Sequence, residues 1–370
     1  MALGLVMAAQ AIFCGYYTVF VVLMVGFGVL TLAALRGWWT NVRYWKAIAL
    51  AAATAVVAAL PVLIPYLALA AGGFRRDMSE AARYSADWQA YLASNALAHQ
   101  WLLPLLGHWN EVLFPGFAAT LLGVAGLAVG WRQGGRLREA VILYGGLLLL
   151  AGWASFGPEA GLYRVLYRVI PVFSLMRAPA RFGVIVALGL AVSAGIAVRV
   201  LLARVPYSTS VGMLIALAAA ADLAVPLPAV PSGSGFREVP PVSPIYRMLR
   251  RLPPAPVIEL PFWWRGSELH GHSIYMLSST IHWMPLINGY SDYIPPDFID
   301  DAGTLRFFPS AEAFKLLQSR RPRYAVFHMA VYGDQDRADV ERRIGAFSRY
   351  LRPLYRDEET RLYEIVGFPP

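Results

Sequence analysis

The sequence contains a single cysteine, Cys14, and few charged residues. One thiol excludes an internal disulfide framework and any metal site built from cysteines. Only 15% of the 370 residues are charged, whereas a soluble domain of this size carries about 25%. The composition therefore excludes a disordered chain and an ordinary cytosolic enzyme. P-loop, dinucleotide-binding, nucleophile-elbow and metalloprotease motifs are missing as well.

The charge is distributed unevenly along the chain. Residues 1–230 contain 15 Lys or Arg and 7 Asp or Glu, a net charge of +8, whereas residues 231–370 contain 17 and 16, a net charge of +1. A charge-poor, basic segment is typical of membrane helices joined by basic loops, so the overall +9 does not indicate nucleic-acid binding. We therefore predict a transmembrane helical bundle over residues 1–230 and a small α/β domain over residues 231–370.

Six charge-free runs are long enough to cross a bilayer core about 30 Å thick as helices. Their apolar residues are continuous and do not alternate with polar ones, which favours helices over barrel strands. The fold class is thus an α-helical polytopic membrane bundle of about six spans. The runs cover residues 17–35, 47–74, 112–131, 140–158, 182–198 and 205–221, with a short helix before the first.

Three short basic loops predict the orientation, because positively charged loops stay in the cytoplasm. The loops alternate along the chain, which places the other loops, 73–112 and 155–181, and the C-terminal domain outside the bacterial inner membrane. Met1 then lies outside, so we expect that further spans precede it; a first helix with its N-terminus outside is the alternative. The basic residues are Arg36, Arg43 and Lys46, then Arg132, Arg136 and Arg138, then Arg199 and Arg204.

The C-terminal domain follows a linker rich in proline, serine and glycine at residues 226–235. Alternating apolar runs and helical periodicity predict a small α/β domain of about 140 residues, which is enough to bury one core. The predicted helices are 244–251, 311–319 and 336–350, and the predicted strands are 257–260, 324–327 and a hairpin of 354–356 with 361–365.

Four arginines in the second outer loop break the positive-inside trend: Arg164, Arg168, Arg177 and Arg181 are opposed there only by Glu159. Arg164 and Arg168 are four residues apart and share a helix face. Arg181 follows Pro179 at the start of the fifth span, where a helix N-terminus favours an anion. The set predicts binding of a lipid phosphate or pyrophosphate. The alternative is interfacial arginines that contact lipid phosphates or pair with Glu159 or Asp87.

The first outer loop predicts a helix capped by Ser79, with Glu80, Arg83 and Asp87 on one face. Such a helix could hold a carboxylate at the mouth of the bundle as a general base or an acceptor for a sugar hydroxyl. A solvated face of an interfacial amphipathic helix is the alternative.

Other polar residues carry weaker predictions. His270 and His272 have a spacing that could ligate a metal, yet no further ligand completes a site. We therefore predict no metal site and no cofactor, and leave a divalent cation open. Asp222 is predicted at the membrane interface. The aromatic stretch 283–298 suits carbohydrate stacking or packing onto the bundle.

Several segments resemble large bacterial membrane proteins related to the GT-C glycosyltransferases, in the YfhO-like and mannosyltransferase-like group. The resemblance covers nearly the whole chain, and its motifs mark the group rather than one activity. The segments are Glu-Ala-Ala-Arg-Tyr-Ser-Ala-Asp at 80–87, Leu-Phe-Pro-Gly at 113–116, Met-Arg-Ala-Pro-Ala-Arg-Phe at 176–182, Ile-Glu-Leu-Pro at 258–261, the ten residues 282–291, and Arg-Tyr-Ala-Val-Phe-His at 323–328.

The resemblance implies transfer of a sugar from a polyprenyl-phosphate donor on the outer face, in cell-envelope glycan assembly. It also implies a catalytic aspartate between the first two spans of the family, a loop without counterpart here, so the catalytic residues stay unknown. It assigns the donor phosphate to Arg177 and Arg181. A transporter of lipid-linked precursors and a non-catalytic membrane scaffold are the alternative functions.

Overall fold

A computed structural model of the chain describes residues 1–225, 243–266, 268–291 and 293–369. The chain divides into two compact units, Met1–Ala229 and Val230–Pro370. The predicted linker lies outside the described residues.

All the regular secondary structure in the described part of the first unit is helical, as expected from its long runs of alanine, leucine and valine. The predicted short helix before the first span is confirmed, since Cys14 adopts an extended conformation and separates two helices. A later helix continues through Pro61 and Pro65. The α-helices are α1 Ala2–Phe13, α2 Gly15–Leu35, α3 Val42–Ala71, α4 Met78–Arg83, α5 Leu103–Leu106, α6 Phe117–Gln133, α7 Gly135–Ser155, α8 Leu162–Val169, α9 Gly183–Leu202 and α10 Ser208–Asp222.

Four helices of the described residues are long and apolar enough to cross a membrane: α2, α3, α7, and α9 together with the 3-10 turn that precedes it. Only 11% of the most apolar 18-residue stretch of α2 is buried inside the protein, and the same fraction holds for α3. Exposed apolar surface on this scale is typical of helices that face lipid, so the four helices support a membrane protein. The other two predicted spans are also helices, α6 with 17 residues and α10 with 15.

Small residues let the helices of the bundle approach closely. A Cβ atom added to Gly126 of α6 would lie 1.7 Å from the carbonyl oxygen of Ser193 on α9, and one added to Gly123 would lie 2.8 Å from Leu190. Helix α9 also brings Gly189 against the carbonyl oxygen of Tyr144 on α7. Close backbone contact at glycine is a common way to pack helices in lipid. It packs α9 against both α6 and α7, which also contact each other at Gly130 and Val141.

The second unit is built on a four-stranded mixed sheet in the order β1-β2-β4-β3. Strand β1 is parallel to β2, whereas β4 is antiparallel to both of its neighbours. One buried cluster covers each face of the sheet, around Phe327 on one side and Val326 on the other. The elements are α11 Pro244–Leu249, β1 Val257–Leu260, α12 His272–Ser279, α13 Pro296–Leu305, α14 Ala311–Leu317, β2 Tyr324–His328, α15 Asp334–Ala346, β3 Leu351–Arg356 and β4 Thr360–Ile365.

The predicted strands and hairpin of this unit are confirmed, and so are the three predicted helices, with ends that differ by a few residues. The sequence reading missed α12 and α13. The second of these begins with Pro296 in its first turn, a position that proline favours.

Candidate functional site

Segments from both predicted outer loops meet at one end of the bundle, and we call residues 74–116 and 155–182 the cap. Main-chain hydrogen bonds within and between these segments help to hold the cap together. They run from the amide of Arg76 to the carbonyl of Ser174 (2.8 Å), from Ala86 to Ser155 (2.9 Å), from Ala180 to Tyr84 (3.1 Å) and from Leu113 to Ala90 (2.9 Å).

Arg181 lies in the 3-10 turn Pro179–Phe182, directly before α9. Its guanidinium carbon is 4.4 Å from the ring centre of Tyr16, and the Tyr16 hydroxyl donates a 2.8 Å hydrogen bond to the carbonyl of Ala178. The Arg181 side chain is exposed and makes no ion pair with any described residue. The predicted position of Arg181 at the start of an apolar span is confirmed. An aromatic ring holds its charge in place without neutralising it.

Arg177 has a different environment. Its guanidinium lies 5.3 Å from the ring of Tyr84, and its Nη1 atom is 3.6 Å from Glu80 Oε1. Glu80 also accepts a 3.0 Å hydrogen bond from Arg76. Arg177 thus has a carboxylate neighbour from the first outer loop, Glu80, a pairing that the sequence analysis did not propose.

Arg164 and Arg168 lie on α8, four residues apart and both exposed, as predicted. Neither of them pairs with a carboxylate in the described residues. They carry positive charge at the surface of the cap, but the structure gives no contact that joins them to Arg181.

The predicted helix face with Glu80, Arg83 and Asp87 is wrong. Helix α4 ends at Arg83, so it carries Glu80 and an exposed Arg83 but not Asp87. Its N-cap is Asp77, whose side chain accepts a hydrogen bond from the amide of Ser79. The carbonyl of Tyr84, which a longer helix would use, instead accepts from Ala180 in the second outer loop.

Two carboxylates of the cap lie near positive or titratable groups. Asp87 accepts a 2.6 Å hydrogen bond from the amide of Ala90, while its buried Oδ2 atom has no hydrogen-bond partner among the described residues and lies 3.9 Å from His108 Nε2. Burial raises the pKa of Glu111, against the opposing effect of the nearby charge of Arg181. A carboxyl group with a raised pKa is suited to proton transfer. The sequence reading assigned no site role to Glu111, which lies in a loop between predicted elements.

Asp222 is more buried than its predicted interfacial position suggested. Its Oδ1 atom is 2.7 Å from His99 Nε2, and its Oδ2 atom accepts a 2.9 Å hydrogen bond from the amide of Ala118. His99 Nδ1 is 3.0 Å from the hydroxyl of Ser94. His99 is completely buried, and this network joins α10 to the start of α6.

The histidine pair of the C-terminal unit does not form a metal site. Both ring nitrogens of His272 are used, one 2.8 Å from the carbonyl of Trp263 and the other 3.2 Å from Asn288, while His270 is exposed. Within the described ranges, no group of three or more His, Cys, Asp or Glu side chains has an arrangement that could hold a metal ion.

Comparison with known proteins gave no match to any family model, to any curated protein or to any solved structure. The geometry of the chain itself therefore carries the functional argument.

Proposed function

We propose that this chain is part of a GT-C-like membrane glycosyltransferase of the bacterial inner membrane, which uses a polyprenyl-phosphate-linked sugar in cell-envelope glycan assembly. In this proposal α6 and α10 also cross the bilayer, giving six spans. The cap and the C-terminal unit then face the outside, and the partners are membrane lipid and the lipid-linked sugar.

The observation that supports this proposal best is the environment of the Arg181 guanidinium. Arg181 is an exposed guanidinium at the end of an apolar span, fixed by an aromatic ring and without a carboxylate ion pair among the described residues. Such a group is suited to bind a phosphate at the level of lipid headgroups. The 3-10 turn around Arg181 leads into α9, whose N-terminal dipole also favours an anion. Arg177 adds a second charge that Glu80 partly neutralises. Arg181 therefore carries the main phosphate contact.

The cap also provides groups that a transfer reaction requires beside a phosphate. Glu111 lies near the charge of Arg181 and has a raised pKa. Asp87 presents a carboxylate oxygen without a hydrogen-bond partner among the described residues. Either carboxylate could accept the proton of an attacking hydroxyl. We leave the choice between them open, because the resemblance places the family's catalytic aspartate in a loop without counterpart here.

Binding of undecaprenyl phosphate to the full chain in lipid nanodiscs tests the proposal. We expect Arg181→Ala to weaken binding by about 10- to 100-fold, since a charged hydrogen bond is worth about 1.5–3 kcal/mol. Arg181→Lys should recover part of the affinity, because lysine keeps the charge but loses the bidentate geometry.

Arg204→Ala is the matched control, since Arg204 is an exposed arginine outside the cap. Its affinity for undecaprenyl phosphate should equal that of the unmodified chain. Equal binding by Arg181→Ala would contradict the phosphate role. A chain that binds the lipid but never consumes labelled polyprenyl-phosphate sugar would instead favour a transporter or a scaffold.

A further inference from the structure

The loop between α2 and α3 lies at the end of the bundle opposite the cap. Tyr16, in the first turn of α2, contacts Arg181 of the cap, and the helix ends at Leu35. A helix of 21 residues is about 30 Å long, which is the thickness of a bilayer core. The loop therefore faces the leaflet opposite the cap, whichever way the chain is oriented in the membrane.

This loop and the start of α3 form a surface groove of about 510 Å³. Ligand sites commonly have volumes of about 300–1,000 Å³. The 3-10 turn before α3 supplies one wall of the groove, and residues at helical spacing on one face of α3 supply the other. The lining residues are Trp39, Thr40, Val42, Trp45, Lys46 and Ala49.

Hydrogen bonds and ring contacts fix the shape of the groove. Trp45 Nε1 donates a 2.9 Å hydrogen bond to the carbonyl of Trp39, and the centres of the two rings lie 6.1 Å apart. The Tyr44 hydroxyl donates a 2.8 Å hydrogen bond to the carbonyl of Val29 on α2, and its ring contacts Trp38. The turn is thus tied to both helices. The groove therefore exists before a ligand binds, which lowers the entropic cost of binding.

The polar side chains of the groove are accessible hydrogen-bond donors. Lys46 and Thr40 are exposed, and Trp39 is 54% exposed. The Lys46 ammonium, the Thr40 hydroxyl and the Trp39 indole N–H make no hydrogen bond with any described residue. The six lining residues include no carboxylate. A group that only accepts hydrogen bonds, such as a phosphate diester, matches this set of donors.

The charge around the groove also favours an anion. The three loops at this end of the bundle contain three, three and two Lys or Arg and a single acid, Glu139, which pairs with Arg36 at 2.7 Å. Arg43 is exposed and makes no ion pair with a described residue. It precedes Lys46 by three residues on α3, so it borders the groove. The loops are residues 36–46, 131–139 and 199–208.

An apolar surface continues from the groove along α3. Helical spacing places Ala53, Val56 and Val57 beyond Ala49 on the same face. Val56 and Val57 are 56% and 72% exposed. The helix has 30 residues and is about 45 Å long, so it extends beyond a hydrocarbon core about 30 Å thick. The charged groove therefore lies at the level of lipid headgroups, and the apolar surface lies at the level of acyl chains.

Together, the donors and the apolar surface define the ligand. We propose that the groove binds an anionic phospholipid in the leaflet opposite the cap, with Lys46 and Arg43 contacting its phosphate and an acyl chain lying along α3. Trp39 and Trp45 then lie at the interface, where the amphipathic indole ring is favoured. A zwitterionic headgroup fits less well, because its cation would lie beside two basic side chains. The site does not depend on the phosphate role of Arg181.

Native mass spectrometry of the full chain in detergent tests the proposal, with dioleoyl phosphatidylglycerol and dioleoyl phosphatidylcholine as probes. We expect tighter binding of phosphatidylglycerol, and we expect Lys46→Ala to weaken that binding about tenfold, the effect of losing one charged hydrogen bond. Lys46→Arg should retain the affinity, because arginine keeps both the charge and the donors. Trp39→Ala should also weaken binding, since it removes a wall of the groove.

Arg204→Ala is the matched control, because it removes one exposed positive charge at the same end of the bundle but outside the groove. Its affinity for phosphatidylglycerol should equal that of the unmodified chain. The loss caused by Lys46→Ala should persist in an Arg181→Ala background, which separates this site from the one in the cap. Equal affinity for the two lipids, unchanged binding by Lys46→Ala, or equal losses in Lys46→Ala and Arg204→Ala would overturn the proposal.

Discussion

His99 has both ring nitrogens satisfied inside the membrane unit, by Ser94 on one side and Asp222 on the other. Aromatic rings pack against its edges, with ring centres 4.9 Å away at Phe114 and 5.2 Å away at Phe117. When one partner of a buried hydrogen bond is removed, the other partner stays buried without a hydrogen bond, which lowers the stability of the fold. His99 therefore fixes the loop that precedes α5 onto α6 and α10.

We expect His99→Ala to lower the stability of the membrane unit by about 3 kcal/mol, because Asp222 would be left without its imidazole partner. The measurement is the thermal unfolding of the full chain in detergent. His108→Ala is the control, since the His108 side chain is 73% exposed. Two variants that unfold at the same temperature would show that the buried network contributes no stability.

Sequence reasoning could not find this network. The sequence shows Asp222 only as an acidic residue at the end of an apolar run, and it gives no reason to connect that residue with His99. Asp222 follows His99 by 123 residues in the chain, so their contact depends entirely on tertiary packing. The same holds for Arg177 and Glu80, which were predicted separately and meet only because the two outer loops exchange main-chain hydrogen bonds.

At the scale of elements, the contact between α6 and α9 depends on glycine. Gly126→Ala should cost about 3 kcal/mol or more, because the new methyl group would overlap a backbone carbonyl that cannot rotate away. Thermal unfolding of the full chain in detergent measures the effect.

Gly195→Ala offers a control on α9 itself, since a Cβ atom there meets nothing within 4 Å. Alanine favours a helix over glycine by about 1 kcal/mol, so this variant should be as stable as the unmodified chain or slightly more stable. If Gly126→Ala proved equally harmless, the close approach of the two helices would not be required for stability.

Element boundaries were predictable where composition alone determines them. The strand at 257–260 and the hairpin near the C-terminus were found because apolar runs and turn residues mark them locally. Helix α4 was predicted too long, because its sequence favours a helix up to Asp87 while the carbonyl of Tyr84 and the amide of Ala86 bond to the second outer loop. Tertiary hydrogen bonds of this kind leave no periodic signal.

For the whole molecule, the uneven distribution of charge identified a membrane unit followed by a small α/β unit. The apolar composition predicted where the membrane helices lie, but not how they pack, since every face of such a helix is apolar. The 2.8 Å hydrogen bond between buried Glu259 and His328 was also missed. Its only local signals are one acid inside a buried strand and a histidine at the end of another.

Accessibility of single cysteines tests the proposed orientation, and the one native cysteine makes the background simple. In Cys14→Ser chains, we expect Arg168→Cys and Arg349→Cys to react with a membrane-impermeant maleimide in intact spheroplasts. Arg136→Cys should react only after permeabilisation, because basic loops stay in the cytoplasm. All three positions are exposed in the structure. Labelling of Arg136→Cys in intact spheroplasts would contradict the proposed orientation.

The side chain of Asn288 completes the outer edge of the sheet. Its amide accepts a 2.7 Å hydrogen bond from the Glu259 amide and donates one of 2.8 Å to the Glu259 carbonyl, as a neighbouring strand would do. At the opposite edge, β3 contains Pro353, which cannot donate to a further strand. Both edges thus carry a feature that disfavours strand addition. We therefore expect self-association of this unit, or capture of another chain, to use its helices and loops rather than its sheet edges.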